Sequence, residues 1–301
     1  MTILRYCLPI VLGATTAYAQ QQQPSGNTEL SPTFEDQQYG EHAQDFLDLW
    51  IADSDGPTPL VIVFHGALLA DKSNIRTNPN LVPLLEAGIS VAAVRTKRNP
   101  GEDFESLYVH ADEALDYLVA MADEWGIDAN NIGTFGTSQG AGIAMWLGFR
   151  DADSVGSRSD QASRIRAVGN IDGQTTLDES LWREWIPAFT PEDIAQVANF
   201  YGGSELLADT SEAARVINEL SAISNISSDD PPLWMSYQNA PGQPLPDGPL
   251  RIYTLVHHVN FGLRLKERAD DLGNESYLNY PGRQSMYPDV ASFLIGKLAA
   301  E

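Results

Sequence analysis

The stretch Asn131-Ile132-Gly133-Thr134-Phe135-Gly136-Thr137-Ser138-Gln139-Gly140-Ala141-Gly142-Ile143-Ala144-Met145-Trp146-Leu147 decides how the chain is read. Its first five residues are short, β-branched and apolar, as a buried strand requires. Its last seven make a good helix. Between them Gly136-Thr137-Ser138-Gln139-Gly140 fits the Gly-x-Ser-x-Gly pattern of a nucleophile elbow, a sharp strand-to-helix turn that carries a serine. Such a turn holds the serine at a strained backbone angle, so its neighbours must be small. Gly136 and Gly140 meet that need.

Working outward, Leu60-Val61-Ile62-Val63-Phe64 is a continuous apolar run, the mark of a strand buried on both faces, and it ends at His65-Gly66. Residues 45–52, 89–94, 165–171, 233–237 and 276–280 predict further strands. Between them residues 80–87, 102–125, 258–272 and 287–298 predict helices. Regular alternation of strand and helix predicts an α/β fold, a mostly parallel central sheet with helices on both faces. Residues 175–224 read as a helical insertion with Trp182, Trp185 and Phe189, broken by Pro187 and Pro191, placed to roof a site. No internal repeat and no second domain is visible.

Residues 1–19 read as a secretory signal peptide: Arg5, a short apolar core from Leu8 to Ala14, and Ala17-Tyr18-Ala19 as the cleavage site. The apolar run is too short to span a membrane. The expected mature chain starts at Gln20 and is secreted or periplasmic. Residues 20–36, rich in Gln, Ser and Pro, read as a flexible arm, and residues 37–301 as the folded domain. Cys7 is the only cysteine and leaves with the signal, so neither a disulfide nor thiol chemistry is expected. The formal net charge of −23 argues against nucleic acid or anionic membrane as partner, because phosphate would be repelled.

Three stretches, Tyr39-Gly40, the 45–50 strand and Val61-Ile62-Val63-Phe64-His65-Gly66, together with the elbow and residues 230–272, resemble the secreted α/β-hydrolase esterases. The branch is the one that holds hormone-sensitive-lipase-like esterases and bacterial feruloyl or acetyl esterases. The resemblance covers roughly residues 39–299 and implies the α/β-hydrolase fold with a small helical cap. It implies a serine carboxylic-ester hydrolase in which Ser138 attacks an ester carbonyl and an acyl-enzyme is then hydrolysed. The substrate implied is a small-molecule or oligosaccharide ester. A catalytically weakened, ligand-binding member of the fold is the alternative. Acyl transfer needs no cofactor, and neither a metal-ligand spacing nor a phosphate-binding glycine loop is evident.

The sequence departs from the family in two places. Relatives carry His-Gly-Gly-Gly after the third strand, whereas here the run is His65-Gly66-Ala67-Leu68. Backbone amides need no particular side chain, so Ala67 can still donate to an oxyanion, with Gln139 as the second donor. Leu68 and Leu69 would narrow the approach. The family's histidine follows the last strand, but no histidine follows residue 258. Of His42, His65, His110, His257 and His258, the pair before the 258–272 helix remains, and His257 is the favoured base with His258 as its rival. His110 reads as a packing or surface residue. The family places its acid after the 233–237 strand, where Asp247 is the one carboxylate; Asp172, directly after the 165–171 strand, is the rival.

Overall fold

The computed structural model describes residues 29–67, 71–96, 104–150, 164–201 and 210–299. Its strands are β1 (Phe34–Gln38), β2 (Phe46–Trp50), β3 (Thr58–Phe64), β4 (Ser90–Val94), β5 (Ile127–Thr137), β6 (Ile165–Ile171), β7 (Leu233–Ser236) and β8 (Ser276–Asn279). They form one sheet in the order β1-β2-β4-β3-β5-β6-β7-β8. β2 runs antiparallel to β1 and β4, and every other pairing is parallel.

The helices are α1 (Leu81–Glu86), α2 (Ser106–Trp125), α3 (Gln139–Phe149), α4 (Glu179–Trp185), α5 (Pro191–Tyr201), α6 (Ser211–Leu220), α7 (Ala222–Asn225), α8 (Arg251–Val256), α9 (Asn260–Leu272) and α10 (Val290–Leu298), with a 3₁₀ helix at Lys72–Thr77. They cover both faces of the sheet. Leu60, Ile62 and Phe64 of β3 join a core with Leu115, Leu118, Ile143 and Trp146 from α2 and α3. Val61 and Val63 point the other way, into a core with Leu81, Leu84, Phe293 and Leu294 from α1 and α10. This two-sided burial is why β3 is apolar at successive positions instead of alternating.

One expectation is corrected. Residues 29–36 are not a free arm: Phe34–Gln38 is an edge strand, the Leu30 amide donates to the Arg76 carbonyl at 3.0 Å, and Trp50 Nε1 donates to the Leu30 carbonyl at 3.2 Å. The polar composition hid an edge strand whose outer side faces solvent. The helix expected over 258–272 is present as α9, and a short helix that was not expected, α8, precedes it; His257 and the two residues after it separate the two. The signal peptide expected at residues 1–19, the rest of the expected arm and Leu68-Leu69 lie outside the described residues. Among the described residues no helix is long and apolar enough to cross a membrane.

In a parallel sheet, the loops leaving the carboxyl ends of the strands gather at one edge and build the site. Here that edge receives His65 after β3, Ser138 after β5 and Asp172 after β6. The loop after β7 leads into α8.

Candidate active site

Ser138 sits between β5 and α3 with φ 56° and ψ −121°, in the positive-φ region that costs a non-glycine residue energy. The surrounding chain enforces this angle. The Ser138 amide donates to the Ile171 carbonyl of β6 at 2.9 Å, and the Ala141 amide closes on the Ser138 carbonyl at 3.0 Å. The turn is so tight that a Cβ on Gly136 would lie 2.2 Å from the Gly140 carbonyl oxygen. One on Gly140 would lie 2.3 Å from the Phe64 carbonyl oxygen. The glycines therefore set both the turn and the contact of α3 with the end of β3.

α8 ends at His257, whose amide still bonds to the Tyr253 carbonyl at 3.2 Å. Its Nε2 lies 2.8 Å from Ser138 Oγ. The ring is buried, and the Tyr253 ring packs on it with centroids 4.3 Å apart. Burial pushes the imidazole down to about 4, an effect the Tyr253 backbone carbonyl partly offsets, so the ring is neutral at pH 7. A neutral imidazole whose Nε2 faces a hydroxyl can take that proton when Nδ1 carries the ring hydrogen. Among the described residues, no side chain hydrogen-bonds Nδ1; the Tyr253 backbone carbonyl is the group that favours a proton on the ring.

His258 is occupied elsewhere. Its Nδ1 accepts from the Asn260 amide at 3.1 Å, which caps the entry to α9. Burial lowers its pKa, and the Gln243 backbone partly offsets this. The structure thus brings His257, and not His258, to Ser138.

The structure does not bring Asp247 to His257. Asp247 is exposed and contributes to the electrostatic field at Arg251. Asp172 lies closer to the nucleophile along the sheet edge: it follows Ile171, the residue that bonds to the Ser138 amide. It is buried, has φ 53°, and accepts from the Gln238 amide at 3.0 Å. Burial pushes its carboxyl up to about 7, against the opposing pull of that amide. Neither carboxylate makes an ion pair with His257.

The loop after β3 abuts the nucleophile, since a Cβ on Gly66 would lie 3.7 Å from Ser138 Cβ. His65 holds this loop. Its Nε2 accepts from the Thr96 amide at 3.1 Å, which leaves Nδ1 as the protonated nitrogen donating to the Gly66 carbonyl at 2.6 Å. Beyond the loop, the 3₁₀ helix is tied to β2. The buried Asp48 carboxylate takes Lys72 Nζ and, at 2.9 Å, Arg76. Burial works to raise the Asp48 pKa, but the Asp36 amide, Lys72 and Arg76 outweigh it and the pKa is lowered. Ala67 follows this braced loop, and Gln139 opens α3 with a first-turn amide that no helical carbonyl can satisfy.

Residues missed by sequence reasoning hold His257 in place. Gln174, after β6, donates its carboxamide to the Val256 carbonyl, one residue before His257. Arg251 at the start of α8 pairs with Asp193 of α5 at 2.8 Å. Asn260 Nδ2 donates to the Trp185 carbonyl, and Trp182 and Trp185 pack edge-on to Phe261. The 175–224 insertion therefore grips the two helices that flank the histidine. Pairings of this kind, distant in sequence and made to backbone carbonyls, leave no local pattern to read.

The BD-FAE family model matches residues 47–240. No curated protein matches the sequence. Among solved structures, a truncated form of a carbohydrate esterase from gut microbiota is 17% identical with a TM-score of 0.63, covering 93% of this chain and 100% of that one. An acetyl ester-xyloside bifunctional hydrolase from Caldicellulosiruptor lactoaceticus is 18% identical with a TM-score of 0.57, over 84% of this chain and 87% of that one. Thermogutta terrifontis esterase 2 phosphoramylated by tabun is 15% identical with a TM-score of 0.58, over 83% of each chain.

Proposed function

The chain belongs to the BD-FAE family of α/β-hydrolase esterases, and on that premise we propose that it is a serine carboxylic-ester hydrolase working through an acyl-enzyme. The observation that carries the reading is the 2.8 Å contact between His257 Nε2 and Ser138 Oγ. A serine hydroxyl is a weak nucleophile at neutral pH and becomes effective when a base within hydrogen-bond reach removes its proton.

Ser138 Oγ attacks the ester carbonyl as His257 Nε2 takes the hydroxyl proton. The oxyanion forms between the Ala67 and Gln139 amides, which are worth most in a site shielded from water. His257 then delivers the proton to the departing alkoxide, leaving Ser138 acylated. Water attacks the acyl-enzyme with His257 again as base, and Ser138 is regenerated. A buried ring of low basicity accepts the proton less readily than a carboxylate-backed one. Placement and preorganised amides then carry a larger share of the rate enhancement.

The substrate class proposed is a short-chain or carbohydrate-linked ester. It is supported by the family and by two structural relatives, one described as a carbohydrate esterase and one as an acetyl ester-xyloside hydrolase. Export through the signal at residues 1–19 would place the enzyme where such polymers are met. The test is release of acetate from p-nitrophenyl acetate and from acetylated xylo-oligosaccharide by the wild type and by Ser138→Ala. Turnover of both by the wild type and of neither by the variant is expected. Equal rates would remove the proposal, and turnover of the small ester alone would remove its carbohydrate part.

A further inference from the structure

A second cluster of ionisable side chains stands on the same sheet edge, outside the serine site. Asp45 immediately precedes β2, and Phe46 next to it bonds to the Arg95 amide just beyond β4. Asp45 is buried, and its carboxylate is fixed from two sides. Oδ2 accepts from the His42 amide at 2.9 Å, while Oδ1 lies 2.9 Å from His110 Nδ1 on α2. One turn further along α2, Glu113 Oε2 lies 3.8 Å from the same nitrogen. One atom from each of Asp45, His110 and Glu113 thus falls within 4.8 Å of the others. The His42 ring packs edge-on against His110, with centroids 5.3 Å apart.

We propose that Asp45, His110 and Glu113 form a binding site for a divalent cation of the zinc class. One imidazole and two carboxylates converging from an i, i+3 helical pair and a rigid loop suit such an ion, with a water completing a tetrahedral shell. Two carboxylates facing one imidazole leave a negative site that a cation neutralises. Asp45 already has the supporting bond that ligating carboxylates need, from the His42 amide. Ligation through Nδ1 uses the imidazole tautomer that carries its ring hydrogen on Nε2. The ion would clip the β1–β2 segment to α2, stabilising the edge from which the loop after β4 departs. The site is independent of Ser138 chemistry.

The test uses the full chain stripped with a chelator and titrated with zinc chloride by calorimetry at 150 mM sodium chloride. The salt screens loose binding to the acidic surface. One saturable site per chain is expected, with a melting temperature rising by roughly 5 °C at zinc about 100-fold above Kd. Glu113→Gln and His110→Gln should each weaken binding at least tenfold, in the range of lost metal-site contacts. Glu267→Gln, an exposed acid on α9, should leave it unchanged. Should His110→Gln not fold, the half-buried Glu113→Gln decides. Absence of a saturable site, or equal affinity in wild type and Glu113→Gln, would overturn the proposal.

Discussion

His257 Nε2 lies 2.8 Å from Ser138 Oγ, although 119 residues separate the two in the chain. The contact closes because β5 and β7 end at the same edge of one sheet and α8 carries the chain back over that edge. The histidine it brings to Ser138 enters between β7 and β8.

The pH profile reports the burial of that ring. A base held at about 4 is deprotonated over a wider acid range than a free histidine at 6.5. kcat/KM should therefore rise with pH through an apparent ionisation well below 6.5, and stay flat from about pH 6 to 8. Rates with a non-ionising ester between pH 3.5 and 8 check this. An acid limb centred at or above 6.5 would show that the ring is solvated or backed by a carboxylate.

Neither Asp247 nor Asp172 hydrogen-bonds the His257 ring, so neither is expected to act as its orienting acid. Loss of that acid from a well-studied triad costs about 10⁴ in kcat. Asp247→Asn should keep kcat within about twofold, and Asp172→Asn within about tenfold. A loss near 10⁴ in either variant, with the fold intact by circular dichroism, would install that residue behind His257.

Asp172 should instead register in stability. Its carboxyl titrates at about 7 in the folded chain against 3.8 when free. Between those values the folded state holds the proton that the unfolded state has released. Stability therefore falls as pH rises from about 4 to about 7. Asp172→Asn keeps an acceptor for the Gln238 amide and removes the ionisation, so it should be the more stable protein at pH 8 by ~1–4 kcal/mol, converging with the wild type near pH 4. Urea unfolding at the two pH values measures the difference.

Much of this was readable from the sequence, and the reasons are local. The elbow pattern survives because Gly136 and Gly140 have no tolerated substitute where a Cβ would meet backbone oxygen. Strands β3 and β4 announce themselves because both their faces are covered. His257 is reached by elimination among five histidines, since no histidine follows residue 258, and by the likeness of the segment from His257 to Gly262 to a subset of the family. For the acid the sequence offers Asp247, with Asp172 as its rival, and does not decide between them. Asp247 stands on the expected loop, but the exposed Pro/Gly-rich chain from 239 to 249 carries it to the surface. Strand β1 was hidden by its solvent-facing polar residues, and α8 by its six-residue length.

Two glycines of the elbow helix should respond oppositely to alanine. A Cβ at Gly140 would meet the Phe64 and His65 carbonyl oxygens at 2.3 and 2.4 Å, so α3 must shift. Gly140→Ala should cost at least ~1–3 kcal/mol and most of the activity. At Gly142 a Cβ meets only Tyr108 Oη at 3.4 Å and a backbone oxygen at 4.0 Å. Gly142→Ala should be neutral or stabilising by up to ~1 kcal/mol, as helix propensity favours alanine. Melting temperatures and p-nitrophenyl acetate rates of the pair distinguish a backbone contact from a general dislike of bulk.

The proposed acyl transfer requires that His257 activate Ser138. A fluorophosphonate probe, read by peptide mass spectrometry, measures this without assuming a substrate. The wild type and His258→Ala should be labelled on Ser138, Ser138→Ala should not be labelled, and His257→Ala should react slower by several orders of magnitude. An unlabelled wild type, or labelling that survives His257→Ala and is lost in His258→Ala, would contradict it.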